Sequence, residues 1–232
     1  MKKIMFNDRY GLTAAVLQGR KTMTRRVCKE YATGQLILAS DVDSFLFYPK
    51  NNIVEFLMKD GTIKVSVPPY KNNEIVAVAQ NYNDALDEYN KMGNKAGWGS
   101  LIGSVENCCA GYSNKMFVKA ELMPHQTQIN NFNIEHLQNI TDKDCMKEGI
   151  KKDYAEGSPL YFIPVPYRGI NWKEYKRRVK EVSRHIEGDK NDYFFDNPRE
   201  AFATLINRPG IGRKGLWKEN PFVFAYSFKL IK

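Results

Sequence analysis

Apolar residues alternate with polar ones over several short stretches of the chain, and this period of two predicts β-strands. The clearest example is residues 222–230, where large apolar side chains occupy every second position. Residues 52–58 and 62–67 are predicted to pair as a hairpin, because a Lys-Asp-Gly connection between two such stretches is a turn signal. Further strands are predicted at residues 22–27, 35–39, 44–48, 74–79, 115–122 and 126–137.

Helices are predicted between these strands, mainly from the residues at their ends. Asn7 or Asp8 opens a short helix through residue 17, and Gly19 stands where a left-handed residue is expected after it. Thr141 begins a sequence that resembles a capping box, and Gly149 closes the helix that follows. Further helices are predicted at residues 81–92, 172–186 and 198–206, and loops at residues 93–114 and around Pro159, Pro164 and Pro166.

Many short strands with a few separated helices indicate an α+β fold with a mainly antiparallel sheet, which we expect to curl into a β-barrel with flanking helices. The 232 residues contain no internal repeat and no linker that would divide them. We therefore predict one domain over residues 1–232.

The composition is that of an ordinary globular protein, with 43% hydrophobic and 26% charged residues. No stretch approaches the ~18 apolar residues of a membrane helix, and the basic N-terminal segment lacks the apolar core of a signal peptide. We predict a cytoplasmic protein without a membrane partner. The four cysteines form no C-x-x-C pair and the three histidines are scattered, so we predict reduced thiols and no metal; the cysteines are Cys28, Cys108, Cys109 and Cys145.

Positive charge is concentrated in two segments of a chain whose formal net charge is +9. Residues 1–30 carry eight Lys or Arg and two acidic residues, and residues 143–184 carry eleven Lys or Arg and six acidic residues. If folding brings the two segments together, they form a basic face suited to a phosphate or a polyanion. The first segment is the stronger candidate, because its basic residues cluster around a predicted turn; they are Arg20, Lys21, Arg25 and Arg26.

The chain contains none of the common cofactor or catalytic motifs. There is no G-x-G-x-x-G, P-loop, H-E-x-x-H or G-x-S-x-G pattern, and the glycine-rich stretch 93–103 lacks phosphate-binding spacing. The isolated histidines His125, His136 and His185 support no serine–histidine or cysteine–histidine pair. We predict no cofactor, and a nuclease is disfavoured because the sequence offers no metal-binding cluster of carboxylates.

The segment Gly19-Arg20-Lys21-Thr22-Met23-Thr24-Arg25-Arg26 resembles the signature G-x-K-x-x-E-x-R of the ASCH domain family. Three of the four fixed positions match, and Thr24 stands where the common pattern has Glu. Further blocks are similar to phage- and bacteroidete-type ASCH proteins, and they reach in the expected order from near the first residue to the last strand. These blocks are residues 7–27, 69–76, 136–150, 198–202 and 220–224.

The resemblance implies a PUA-like β-barrel with insertions near residues 28–68, 80–114 and 151–195. One compact branch of the family removes the acetyl group from N4-acetylcytidine, and its motif reads G-x-K-x-x-T. The functional residues of that branch are the motif Lys, the motif Thr and a Glu in a later helix. By resemblance they correspond to Lys21, Thr24 and Glu148.

These three residue types suit amide hydrolysis, which needs a nucleophile, a base and a proton donor for the leaving group. Thr24 would be the nucleophile, and Lys21 would be its base if burial or nearby cations lower the pKa of the amine. Glu148 would pass a proton to the departing cytosine nitrogen. Because residues 21 and 24 face opposite sides of a regular strand, Lys21 is expected in the turn before it.

Two functions remain open. The first is recognition of RNA or a modified nucleobase in a basic pocket, with Arg20, Arg25 and Arg26 as binding residues and Trp98, Tyr112 or Trp172 as stacking residues. The second is an amidohydrolase that acts on N4-acetylcytidine or a related N4-acylated cytosine nucleoside. We place recognition first, because a fold does not by itself establish a reaction. The oligomeric state is left open.

Overall fold

Five strands form the main sheet in the computed structural model, which describes residues 1–93, 110–155, 158–163 and 194–231. The strands of this sheet are β1 (Lys2–Ile4), β2 (Met23–Val27), β6 (Ile75–Val78), β7 (Gln126–His136) and β11 (Phe222–Leu230). Their order is β1-β6-β7-β11-β2, in which only the β1–β6 pair is parallel and the other neighbours are antiparallel.

Two further antiparallel sheets have three strands each. One is the meander of β3 (Val42–Tyr48), β4 (Ile53–Met58) and β5 (Ile63–Ser66). The other contains β8 (Lys151–Ala155), β9 (Ser158–Phe162) and β10 (Phe194–Phe195) in the order β10-β9-β8. The described residues thus contain three separate sheets and no closed barrel, so the α+β class is confirmed and the barrel stays a prediction.

The described parts of the chain contain five α-helices. They are α1 (Leu12–Leu17), α2 (Tyr82–Lys91), α3 (Asp142–Lys147), α4 (Pro198–Ile206) and α5 (Leu216–Glu219). The caps predicted for two of them are present: the side chain of Thr141 accepts from Asp144 N at 3.2 Å, and that of Asn197 accepts from Glu200 N at 2.8 Å. No helix in the described ranges is both long and apolar enough to cross a membrane.

The largest hydrophobic core lies around β11, whose residues are buried on both faces of the strand. The rings of Phe45 and Phe56, from the β3–β4 meander, pack against Phe222 with centroids 5.6 Å and 5.0 Å away. Tyr226 is fully buried, and its hydroxyl is satisfied because it donates to Tyr70 O and accepts from Tyr70 N, both at 3.3 Å. A second cluster packs α2 over Ala77 and Ala79.

Most predicted elements are confirmed, and four predictions are wrong. The helix predicted from Asn7 or Asp8 through residue 17 is a 3-10 turn (Asp8–Tyr10) that Gly11, with a φ of +62°, separates from the shorter helix α1. Residues 115–122 form two 3-10 turns (Lys115–Phe117 and Ala120–Leu122) instead of a strand, and Lys3 Nζ donates to carbonyl groups along this segment. Residues 35–39 make isolated bridges, with Leu36 opposite Lys29 and Leu38 opposite Pro221. Pro159 lies in β9 instead of a loop.

Some predictions concern residues outside the described ranges. These are most of the loop at 93–114, the helix at 172–186, and Cys108, Cys109 and His185. The single domain with insertions also stays a prediction.

Candidate ligand-binding site

Lys21 lies in the turn between α1 and β2, as predicted. Gly19 has a φ of +71°, and the backbone N–H groups of Arg20 and Lys21 both donate to Ala15 O at 2.9 Å. Thr22 N donates to Lys147 O at 2.9 Å, which joins the same turn to the end of α3. The turn is therefore fixed at two helix C-termini before β2 begins at Met23.

Lys21 and Glu148 form a buried ion pair. Lys21 Nζ donates to Glu148 Oε2 at 2.6 Å and to the Glu148 carbonyl oxygen at 2.8 Å, and the two side chains are 2% and 5% exposed. Glu148 is the C-cap residue of α3, and Gly149 follows with a φ of +106°. The positive φ favours glycine at this turn, and a Cβ there would also lie tightly against Leu12 Cδ2, at 3.2 Å.

Arg25 is buried beside this pair and binds two carboxylates. Its Nη1 donates to Glu148 Oε1 at 3.2 Å, and its Nε and Nη2 donate to Glu135 Oε1 at 3.0 Å and 2.7 Å. Asp144 Oδ2 lies 3.9 Å from Nη2. Both oxygens of Glu148 are therefore held by buried cations, one by Lys21 and one by Arg25.

The pKa of Lys21 is lowered below the usual lysine value. Burial is the largest cause, because desolvation disfavours the charged amine, and the nearby Arg26 and Arg25 guanidinium groups act in the same direction. Glu148 opposes the shift through its charge and its hydrogen bond. The environment thus moves the amine towards the state in which it can accept a proton.

These residues face a cavity of about 480 Å³, within the range of about 300–1,000 Å³ typical of small-molecule sites. Its lining combines polar, mostly basic side chains with apolar ones, and the end of α4 and the loop after it contribute an apolar wall. The polar lining includes Arg9, Lys21, Thr24, Arg25, Arg26, Lys115, Asp8 and Glu148, and the apolar wall includes Phe202, Leu205, Ile206 and Ile211.

Thr24 lies on β2 opposite Tyr226 of β11 and is 4% exposed. Its side chain lines the same cavity as Lys21 and Glu148, so the structure brings all three predicted catalytic residues to one place. Within the described residues, the Thr24 hydroxyl makes no hydrogen bond, to Lys21 or to any other group. It is available to a ligand in the cavity.

Phe6 connects two of the basic residues of the site. Lys21 Nζ lies 5.7 Å and the Arg26 guanidinium 5.9 Å from the centroid of its ring. Arg26 also donates from Nη2 to the Met5 carbonyl oxygen at 2.8 Å. The segment around Phe6 therefore sets the position of the Arg26 side chain at the cavity.

Not every predicted binding residue reaches the cavity. Arg20 donates to Gln18 Oε1 from Nε at 3.0 Å and from Nη2 at 2.9 Å, and it is not among the lining residues. Tyr112, a predicted stacking residue, packs against the core cluster under α2. Trp98 and Trp172 lie outside the described residues.

Within the described ranges, no three His, Cys, Asp or Glu side chains are grouped so that they could hold a metal ion. Cys28 and Cys145 are buried free thiols, and burial raises the pKa of both, that of Cys145 to about 12. Neither thiol is suited to nucleophilic chemistry, because the thiolate is the reactive form.

Several residues of the site were not found from the sequence. Arg9, Lys115 and the α4 wall line the cavity, and Glu135 holds Arg25 from β7. The apolar residues of α4 fit a helix that packs on a core, which gives no sign of a cavity. Glu135 carries a weak signal, since an acidic residue in a central strand of a sheet needs a partner.

Comparisons of the chain with protein-family models, with curated proteins and with solved structures find no match. The similarity to the ASCH family therefore rests on the sequence motifs alone.

Proposed function

We propose that this chain is an ASCH-type protein with a PUA-like fold that binds RNA or a modified nucleobase in the cavity beside Lys21. The observation that carries the proposal is that the motif residues Lys21, Thr24 and Arg26 meet Glu148 in one cavity, although Glu148 is more than a hundred positions away in the sequence. Such convergence is what a shared ligand requires and is not needed for a solvated basic surface.

The cavity has both apolar and polar lining residues, which suit the flat ring and the polar edge of a nucleobase. The apolar residues of α4 offer a surface for the flat ring, and the Thr24 hydroxyl and the guanidinium groups offer hydrogen bonds to its polar edge. Bases that are splayed out of RNA are recognised by this combination of packing and edge contacts. The same combination accommodates a free nucleoside.

Calorimetric titration with the four common ribonucleosides, N4-acetylcytidine and a short single-stranded RNA tests the proposal. We expect at least one of them to bind and Thr24→Val to weaken binding about three- to tenfold, because a single hydrogen bond is lost while the volume is kept. Thr33→Val, on an exposed turn, is the matched control. Failure of every ligand to bind, or an unchanged affinity of Thr24→Val, would contradict the proposal.

A second candidate function is hydrolysis of an N4-acylated cytosine nucleoside. It is favoured by the lowered pKa of Lys21 and by the unbonded hydroxyl of Thr24, which lines the same cavity. In the neutral form of the pair, Glu148 holds the proton and Lys21 is a free amine. Thr24 Oγ1 then bonds to the acetyl carbon while its proton passes to Lys21, and Glu148 protonates N4 as the carbon–nitrogen bond breaks.

Water completes the reaction by attacking the acetyl ester of Thr24. One proton of the water passes to Glu148, the ester bond breaks, and the threonine oxygen recovers a proton from Lys21. Acetic acid leaves and gives up its proton to solvent, and the neutral pair is restored. The buried guanidinium of Arg25 and the neighbouring Arg26 would favour the negative oxygen of the tetrahedral intermediate.

Incubation with N4-acetylcytidine followed by chromatography for cytidine tests this second function. Turnover that is abolished in Thr24→Val and partly retained in Thr24→Ser would support the hydroxyl as nucleophile. Binding of N4-acetylcytidine without any release of cytidine would leave recognition as the function and reject hydrolysis.

A further inference from the structure

We infer that the ligand of this cavity carries a phosphate next to its base, and that Arg9 and Arg26 bind this phosphate. This inference rests on the proposed function and specifies the chemical class of the ligand. It also assigns a different role to Arg25, which becomes a positioning residue for Glu148.

The cations of the cavity differ in whether the protein already neutralises them. Lys21 and Arg25 share the carboxylate of Glu148, and Arg25 is paired with Glu135 as well. Lys115 Nζ donates to Asp8 Oδ1 at 2.8 Å, to Thr13 Oγ1 at 3.1 Å and to the Phe6 carbonyl oxygen. Each of these three basic side chains is thus already paired with at least one carboxylate of the protein.

Arg26 and Arg9 differ from these three. Arg26 donates one hydrogen bond, from Nη2 to Met5 O, and a guanidinium group has five N–H donors. Arg9 is exposed in the 3-10 turn Asp8–Tyr10, and within the described residues its side chain makes no hydrogen bond or ion pair. Among the residues that the structure describes, these two guanidinium groups of the cavity therefore have unused donors and no acidic partner.

Arg26, on β2, is hydrogen-bonded to the short segment of the chain that carries Arg9. Arg26 is tied to the carbonyl of Met5, and Arg9 follows four residues later. Asp8 lies between them, but its carboxylate is paired with Lys115. With the apolar wall of α4 as a further part of the lining, the cavity offers one surface to a ring and two guanidinium groups to an anion. Guanidinium groups bind phosphate with paired hydrogen bonds.

Calorimetric titration of the full chain with each of the four ribonucleosides and its 5′-monophosphate tests the inference. We expect the monophosphate of the preferred base to bind at least about tenfold more tightly than the nucleoside, because charge-assisted hydrogen bonds to phosphate are added. Arg9→Gln should reduce this ratio about fivefold or more, because one of the two guanidinium groups at the phosphate is lost. Arg26→Gln should reduce the same ratio. Because Arg9 is exposed, Arg9→Gln tests the phosphate site even if Arg26→Gln fails to fold.

Lys59→Gln is the control for net charge, since it removes one positive charge from the exposed β4–β5 hairpin, outside the cavity. We expect it to leave the ratio unchanged. A dinucleotide with the same base distinguishes the source of the phosphate: tighter binding than the monophosphate indicates RNA, and weaker binding indicates a free nucleotide.

The outcomes separate the inference from the proposed function. If nucleosides bind and their monophosphates bind no more tightly, the phosphate site is refuted and base recognition stands. If the ratio is large but unaffected in Arg9→Gln and Arg26→Gln, the phosphate is bound elsewhere and the assignment is wrong. If neither nucleosides nor nucleotides bind, both the proposed function and the inference fail.

Discussion

Replacing Glu148 by Gln should destabilise the protein strongly, because one carboxylate neutralises two buried cations. Oε2 accepts from Lys21 at 2.6 Å and Oε1 from Arg25 at 3.2 Å, and all three side chains are 2% to 5% exposed. Removal of one member of a buried ion pair costs about 3–5 kcal/mol, since the remaining charge is left uncompensated. Arg25 keeps Glu135 in the variant, so we expect the lower end, about 3 kcal/mol.

Urea unfolding followed by circular dichroism measures this loss, and a double-mutant cycle with Lys21→Met isolates the pair. We expect the double variant to cost at least about 1.5 kcal/mol less than the two single variants together, because each single change leaves the other partner's charge buried. Lys91→Gln is the control. It breaks a 2.7 Å pair with Glu88 in which Lys91 is 69% exposed, and it should cost less than about 1 kcal/mol.

Two results would refute this reasoning about the buried pair. If Glu148→Gln costs no more than Lys91→Gln, the carboxylate does not compensate buried charge. If the effects of Glu148→Gln and Lys21→Met simply add, the two side chains do not interact as their 2.6 Å separation implies.

Two further predictions concern the same region. The pKa of Lys21 is lowered in the folded state, so at pH values just below the usual lysine pKa of 10.5 the unfolded chain binds more protons than the folded one. The contribution of Lys21 to the free energy of unfolding therefore rises with pH in this interval. Urea titrations over this interval should give Lys21→Met a less positive slope than the wild type, and equal slopes would contradict the shift. Gly212→Ala should cost at least about 2 kcal/mol, because its Cβ would lie 2.1 Å from the Ile206 carbonyl oxygen. Gly61→Ala is the control, because its Cβ would meet no atom within 4 Å and only its φ of +82° is unfavourable, which should cost about 1 kcal/mol. If urea unfolding shows a smaller loss of stability for Gly212→Ala than for Gly61→Ala, the crowding at Gly212 is refuted.

Local signals predicted most of the secondary structure. Thr141 and Asn197 each accept from a backbone N–H three residues later, so the start of a helix is decided within one turn of sequence. The hairpin of β4 and β5 is similarly decided by its short connection. Predictions of this kind succeed because few distant residues take part in the interactions.

The failures involve contacts between distant parts of the chain. The segment 115–122 has the apolar content of a strand, but Lys3, more than a hundred positions earlier, donates to the carbonyl groups of Met116 and Val118. These hydrogen bonds occupy carbonyl oxygens that a neighbouring strand would otherwise use. Lys115 reaches the cavity through the same arrangement, which explains why the sequence did not identify it as a site residue.

Arg25 shows why charge counted along a sequence overestimates the charge that a ligand meets. Alternation along β2 assigns Thr24 and Arg26 to one face and Arg25 to the other, and the excess of basic residues in 1–30 suggested that all of them were available. The guanidinium of Arg25 is instead used on Glu135 and Glu148, which come from β7 and from the end of α3. These contacts make Arg25 part of the support for Glu148. Only the basic side chains that have no acidic partner then have their charge available for a ligand. The positive charge that the cavity offers to a ligand is therefore set by which basic side chains the fold leaves unpaired.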